Sequence, residues 1–166
     1  MAKSITSANS VLVITAASRG VADSITGSTG ISSLGTLSSL IGVPQTIEGW
    51  SADNAFSIDA QQTAMVVQGV DGKTHFGWVP RLAPLTISLM PDSDSQDYLE
   101  NLVTAQDLMR ETLMIGGVLI VPSIQRKYAL TNGAITSFTP IPSHQRVLAA
   151  QGMTITFSKA EPSAYL

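Results

Sequence analysis

Residues 153–158 read Met-Thr-Ile-Thr-Phe-Ser, and residues 85–89 read Leu-Thr-Ile-Ser-Leu. In both stretches a large apolar side chain alternates with a small hydroxylated one. Successive strand residues point to opposite faces, so a repeat of two marks a strand with one buried and one polar side. Leu85, Ile87, Leu89, Met153, Ile155 and Phe157 are assigned to a core, and Thr86, Ser88, Thr154, Thr156 and Ser158 to the other face. This alternation makes the chain mainly β.

Working outward, further strands appear. Residues 128–137, Tyr-Ala-Leu-Thr-Asn-Gly-Ala-Ile-Thr-Ser, read as a hairpin about Asn132-Gly133, because Asn-Gly supplies the two positive φ angles of a type I′ turn. Leu130 then faces Ile135, while Ala129, Thr131, Ala134 and Thr136 share the small, uncharged opposite face. A second hairpin is expected where residues 63–70 and 74–79 flank Asp71-Gly72. Ile47, Trp50, Phe56 and Ile58 mark shorter strands. The run from Val11 to Ala17 reads as a buried strand, about residues 10–16. The strand reading is preferred to the alternative, the core of a cleaved signal peptide, since the ten residues before it carry one Lys and are mostly polar. Residues 159–166 are expected to fray.

One segment has the helical period. Leu99, Leu102, Met109 and Leu113 form an apolar stripe over about 94–113, and Asp97, Glu100, Thr104, Asp107 and Glu111 lie on the opposite face. Ser93 and Gln96 have capping-box spacing, and Gly116-Gly117 is the expected stop. A strand from Val118 to Val121 follows. The fold class is therefore an antiparallel β-sandwich or barrel of about eight to ten strands with one flanking helix. The 166 residues form one domain.

Residues 18–45 differ in texture. Gly and Ser dominate, yet Ile31, Leu34, Leu37, Leu40 and Ile41 recur, with a self-echo between Ile31-Ser-Ser-Leu34 and Leu37-Ser-Ser-Leu40. A plain flexible linker lacks such apolar residues. The segment is expected to be an arm ordered by contact with another subunit.

Composition bounds the function. Charged residues make up 13% of the chain against 44% hydrophobic, where about 25% charged is ordinary. No apolar run reaches the ~18–20 residues of a membrane helix, so no membrane anchor is expected. A chain this apolar and free of spans hides surface against copies of itself. A net charge of −3 argues against a conventional duplex-DNA reader. With no cysteine, thiolate metal sites and Cys nucleophiles are excluded.

Catalytic and cofactor motifs are missing. Asp71-Gly-Lys-Thr74 resembles the end of a phosphate-binding loop, but Val67 stands where the first glycine belongs. Asp92 to Asp97 lacks the glycine and closing glutamate of a calcium loop. The two histidines, His75 and His144, have no partner at ligand spacing, and there is no G-x-S-x-G elbow. No enzyme, cofactor or metal is expected. Two rival readings remain open: a ligand-binding barrel with Trp50 and Trp78 in a closed cup, and a hydrolase using His75 or His144 as base.

The order of the pieces resembles the tail tube (inner tube) protein of contractile-tailed bacteriophages. The resemblance rests on Ser7-Ala-Asn-Ser-Val-Leu-Val-Ile-Thr-Ala16, on Ile47-Glu-Gly-Trp-Ser-Ala-Asp-Asn-Ala-Phe56, and on Gly69-Val-Asp-Gly-Lys-Thr-His-Phe-Gly-Trp-Val-Pro80. The acid-capped helix and residues 128–136 follow, so it covers most of 7–158, with 17–42 looking inserted. It implies hexameric rings stacked into a tube in the virion. The subunits would be made in the host cytoplasm, and their partners would be the tail sheath, baseplate and tail terminator. It also implies non-specific passage of DNA through the bore. Ala129, Thr131, Ala134, Thr136, Thr154 and Thr156 are the candidate lumen-facing residues. Asp97, Glu100, Asp107 and Glu111 are the candidate sheath-facing ones, and Ile31, Leu34, Leu37, Leu40 and Ile41 the candidate inter-subunit arm. Another tube-like part, a baseplate or terminator ring, would share the fold. Six subunits giving four strands each would close a barrel roughly 45–50 Å across.

Overall fold

A computed structural model describes residues 9–17, 41–52 and 54–165. Seven strands form one antiparallel sheet: β1 (Val11–Ala17), β2 (Gln45–Ile47), β3 (Phe56–Ile58), β6 (Ala83–Leu89), β7 (Met114–Val121), β8 (Arg126–Phe138) and β9 (Gln151–Ala164), in the order β2-β1-β7-β8-β9-β6-β3. The remaining strands, β4 (Ala64–Gln68) and β5 (Thr74–Trp78), pair only with each other. The sheet curls into a half-barrel around one helix, α1 (Asp94–Met109).

The sequence alternation is realised in the pairing of β6 with β9. Leu85 lies opposite Ile155, Ile87 opposite Met153 and Ala83 opposite Phe157. All six side chains are buried, together with Leu12, Ile14, Ile115, Leu119, Leu130 and Ile135 from the other strands. Tyr98, Leu99, Leu102 and Ala105 of α1 close this core from above. Each fully buried aliphatic side chain contributes about 1.5–3 kcal/mol, so this single layer between helix and sheet carries the fold.

The pairing is staggered. β7 pairs with β8 only from Arg126 to Gly133, and β6 pairs with β9 only from Gln151 to Phe157. Neighbouring strands are thus displaced along their length, as a tilted barrel wall requires.

Asn132-Gly133 is not a hairpin turn. β8 runs unbroken from Arg126 to Phe138, and Leu130 and Ile135 share its core side without facing each other. Asn132 does take a positive φ of 49°, but as the extra residue of a bulge. Ile115 pairs with Gly133 and Gly117 with Leu130, so two β8 residues oppose one β7 residue. Gly133 is needed for close approach. A Cβ there would strike the Phe157 ring and sit 3.0 Å from the Ile115 carbonyl oxygen. Only Asn132 keeps the positive φ expected of the turn; the tertiary pairing with β7 and β9 converts a turn into a kink.

Three other expectations are corrected. Residues 159–164 do not fray but continue β9, pairing with Arg126–Thr131. The helix ends at Met109, where Arg110 takes a left-handed φ of 52°, and not at Gly116-Gly117. Those glycines lie inside β7, and a Cβ on Gly117 would come 2.8 Å from the Val13 carbonyl oxygen. Leu113 is buried just beyond the helix. The capping box is half made: the Ser93 hydroxyl accepts from the Ser95 N–H at 3.2 Å, while Gln96 Nε2 donates to Glu100 Oε1 at 3.1 Å and does not turn back.

Candidate assembly surfaces

The strand faces turned away from α1 make one continuous surface. From β1 through β7, β8 and β9 to β6 its residues include Val13, Thr15, Gly116, Val118, Ala129, Thr131, Ala134, Thr136, Thr154, Thr156, Pro84 and Thr86, and none of the described residues on it is buried. Its side chains are mostly small and neutral, with Val11, Met114 and Ile120 the larger apolar ones on β1 and β7. Hydroxyls link neighbouring strands: Thr136 Oγ1 lies 2.9 Å from Thr156 Oγ1 and donates to the Thr154 carbonyl at 3.3 Å. Ser158 Oγ donates to the Thr131 carbonyl at 3.0 Å, and Thr86 Oγ1 lies 3.4 Å from Thr154 Oγ1. Charge appears only at one end, with Lys127 and the exposed pair Lys159–Glu161, whose Nζ and Oε1 are 3.2 Å apart. All six lumen-facing candidates of the sequence lie on this one surface, although the strand that carries four of them was expected to be two.

The helix presents the opposite side of the molecule. Asp97 and Asp107 are exposed there, Glu111 is exposed two residues past the helix end and not on it, and Glu100 is half-buried beside the Gln96 amide. No basic residue stands in the last turn of α1. Tyr98 points the other way, into the core. Its hydroxyl is buried with no partner among the described residues, and burial raises its pKa above the usual 10.0.

The ribbon β4–β5 is the surface that sequence reasoning under-read. Its Asp71-Gly72 turn forms as expected, with Gly72 at φ 77° and its N–H bonded to the Gly69 carbonyl at 2.9 Å. Yet every residue of both strands is exposed, including Val66, Phe76 and Trp78. The signal was present in the sequence: Ala64-Met-Val-Val67 is a continuous apolar run, which a one-sided strand would not have. The closed-cup reading for the two tryptophans does not hold. Trp50 packs edge-on against Phe56 with ring centroids 5.4 Å apart, whereas Trp78 projects from the ribbon. His75 stands on the ribbon, and His144 lies in the loop between β8 and β9.

Of the arm candidates, Ile31, Leu34, Leu37 and Leu40 lie outside the described residues. Ile41 is described, and it belongs to the fold: it bridges to Ala16 and packs partly buried against the core.

Residues 23–161 match the family model described as tail fiber protein gp32. No curated protein has a matching sequence. Among solved structures, the chain is similar to one in the sheath/tube terminator of an extracellular contractile injection system (PVC) in its extended state. The TM-score is 0.51 at 11% identity, covering 92% of this chain and 93% of that one. It is similar also to a chain of the anti-feeding prophage (AFP) baseplate, with a TM-score of 0.51 at 10% identity, covering 99% and 98%. These two likenesses are of fold. The family match extends over most of the sequence, so the chain belongs to the tail fiber protein gp32 family and is a phage tail-associated protein.

Proposed function

We propose that this tail protein is the repeating subunit of an inner tail tube, and that it works by self-assembly and not by catalysis. Copies close into rings, six to a ring, and the rings stack into a tube that lies inside the sheath and meets the baseplate and terminator at its ends. The protein then resides in the virion, is assembled in the host cytoplasm, and lets DNA pass without holding it. The observation that carries this reading is the open face of the staggered sheet, whose charge is confined to Lys127 and the Lys159–Glu161 pair at one end.

The physical case is as follows. A sheet with one face packed on a helix and the other left open needs either solvent or a bore on the open side. Both of its edges end in three-residue strands, β2 and β3, the short edges that permit closure against neighbours. The stagger sets strand tilt. Phosphate contacts from Lys and Arg dominate affinity for nucleic acid, so a wall that is uncharged around Ala134, Thr136, Thr154 and Thr156 and balances Lys159 with Glu161 passes a duplex without gripping it. With that face inward, α1 necessarily looks outward, and Asp97, Asp107 and Glu111 meet a sheath surface of basic character. Residues 18–40 then serve as an inter-subunit arm.

A second reading is supported by the origin of the similar folds, a terminator and a baseplate: a single ring at one end of the tube. Negative-stain microscopy of the purified protein separates the readings. Open-ended tubes support the proposal, isolated rings support the end-ring reading, and a monodisperse monomer at high concentration overturns both.

A further inference from the structure

Asn132-Gly133 is the one Asn-Gly pair of the chain, and it sits at the bulge in β8; Asn9, Asn54 and Asn101 are each followed by a larger residue. A glycine after asparagine opens a route to deamidation, because no Cβ keeps its nitrogen from the side-chain amide. The Gly133 nitrogen attacks Asn132 Cγ and a new C–N bond closes a five-membered imide. The old Cγ–N bond breaks, and ammonia leaves with the proton shed by the Gly133 nitrogen. Water then opens the ring at one of its two carbonyls. Opening at Cγ gives aspartate; opening at the main-chain carbonyl gives isoaspartate, whose main chain is one atom longer.

The folded protein offers half of this chemistry and withholds the other half. Asn132 is exposed, and its side chain makes no hydrogen bond among the described residues. Gly133 is buried and pairs with Ile115 on one side and with Phe157 on the other. The fit is so close that a Cβ there would strike the Phe157 ring. The preceding peptide is tied as well, since Ser158 Oγ donates to the Thr131 carbonyl at 3.0 Å. Closing the imide draws the Gly133 nitrogen onto the Asn132 side chain and leaves it no hydrogen for a ladder. The reaction therefore needs β8 to part from its neighbours.

We infer that Asn132-Gly133 is a latent deamidation site, locked while β8 is paired between β7 and β9 and released in any unfolded chain, where conversion to isoaspartate withdraws that chain from folding. The register of β8 against β9 runs unshifted from Arg126 to Ile135. An extra main-chain atom before Gly133 displaces everything after it, and Gly133 no longer meets Phe157. The inference concerns a single copy and holds whatever assembly that copy joins.

Residues 128–146 form one tryptic peptide, between Lys127 and Arg146, so mass spectrometry after digestion reads the site directly. The native full chain, the same chain in guanidinium chloride, and a synthetic peptide of residues 128–146 with and without denaturant are held warm at one mildly alkaline pH. The unfolded chain should deamidate at the rate of the peptide. Core strands open at free energies near that of global unfolding, so the native chain should be slower by at least about tenfold. A native chain that converts as fast as the peptide overturns the lock. The denaturant is then removed and the folded fraction isolated by gel filtration. Isoaspartate chains should be depleted from it; their presence there in full proportion overturns the withdrawal. Asn132→Gly permits the positive φ and removes the amide, so its refolding yield should not fall with time held unfolded. A yield that falls as steeply as wild type's overturns Asn132 as the site. Asn132→Asp carries the charge without the extra atom and should refold; its failure to refold would place the defect in the charge and overturn the register argument.

Discussion

Substituting Gly133 by Ala tests how the bulge in β8 is built. The added methyl points at the Phe157 ring and lies 3.0 Å from the Ile115 carbonyl oxygen. Phe157 is fully buried, so its ring has no free space in which to turn aside. The backbone of Gly133 is not left-handed, so the cost is steric and not conformational. Overpacking of this kind costs about 1–3 kcal/mol. Taking about 2 kcal/mol, and 2–4 °C per kcal/mol for a chain of this size, Tm should fall by roughly 4–8 °C. Thermal unfolding followed by circular dichroism measures it. Phe157→Leu has a cost of its own through the cavity it leaves. Combined with Gly133→Ala, it should restore room for the methyl, so the double variant should lose less than the sum of the singles by about 1 kcal/mol. A type I′ turn at Asn132-Gly133 would also make Gly133→Ala costly, through its positive φ, but that cost would be independent of Phe157 and the two substitutions would add. A Gly133→Ala variant with unchanged Tm, or two substitutions that simply add, would refute the packing described here.

The remaining predictions follow from the same structure. Tyr98→Phe removes a buried hydroxyl that has no partner and should raise stability by about 1 kcal/mol in chemical denaturation. Because the folded-state pKa of Tyr98 lies above its unfolded value of 10.0, wild-type stability is full below pH 10 and falls as pH rises past it; Tyr98→Phe should flatten that alkaline decline. Asp107→Asn with Glu111→Gln should change stability by less than about 0.5 kcal/mol. It should also weaken co-sedimentation of tubes with the cognate sheath protein at low salt; undiminished binding would take the sheath away from this face of α1. Thr154→Lys with Thr156→Lys should give tubes that retain duplex DNA in a salt-sensitive manner where wild-type tubes do not. Equal retention by both would place these residues outside the bore.

Much of the fold was legible in the sequence because its signals are local. The alternation at 85–89 and 153–157, the helix start at Ser93 and the Asp71-Gly72 turn each depend on a few adjacent residues. The errors arose where distant strands decide. Asn132 takes the positive φ its chemistry allows, but Gly133 does not, because Ile115 and Phe157, far away in the chain, hold the pair in a continuous strand. Residues 159–164 are polar and look like a tail, yet β8 extends far enough to pair with them. Gly116-Gly117 reads as a helix stop because nothing local reveals that Val13 passes so close. The open face was legible residue by residue from the small-polar alternation, and its extent only from the sheet order. The ribbon was recognised as a hairpin; its isolation from the main sheet was not, because exposure of Phe76 and Trp78 runs against their apolar character.

The central claim concerns which side of the sheet encloses the bore. A cryo-electron microscopy reconstruction of the assembled protein tests it most directly. The account predicts Thr136, Thr154 and Thr156 lining an open channel wide enough for a duplex of roughly 20 Å, with α1 on the outer wall. A reconstruction with α1 lining the channel, or with the threonine face buried between subunits, would contradict it.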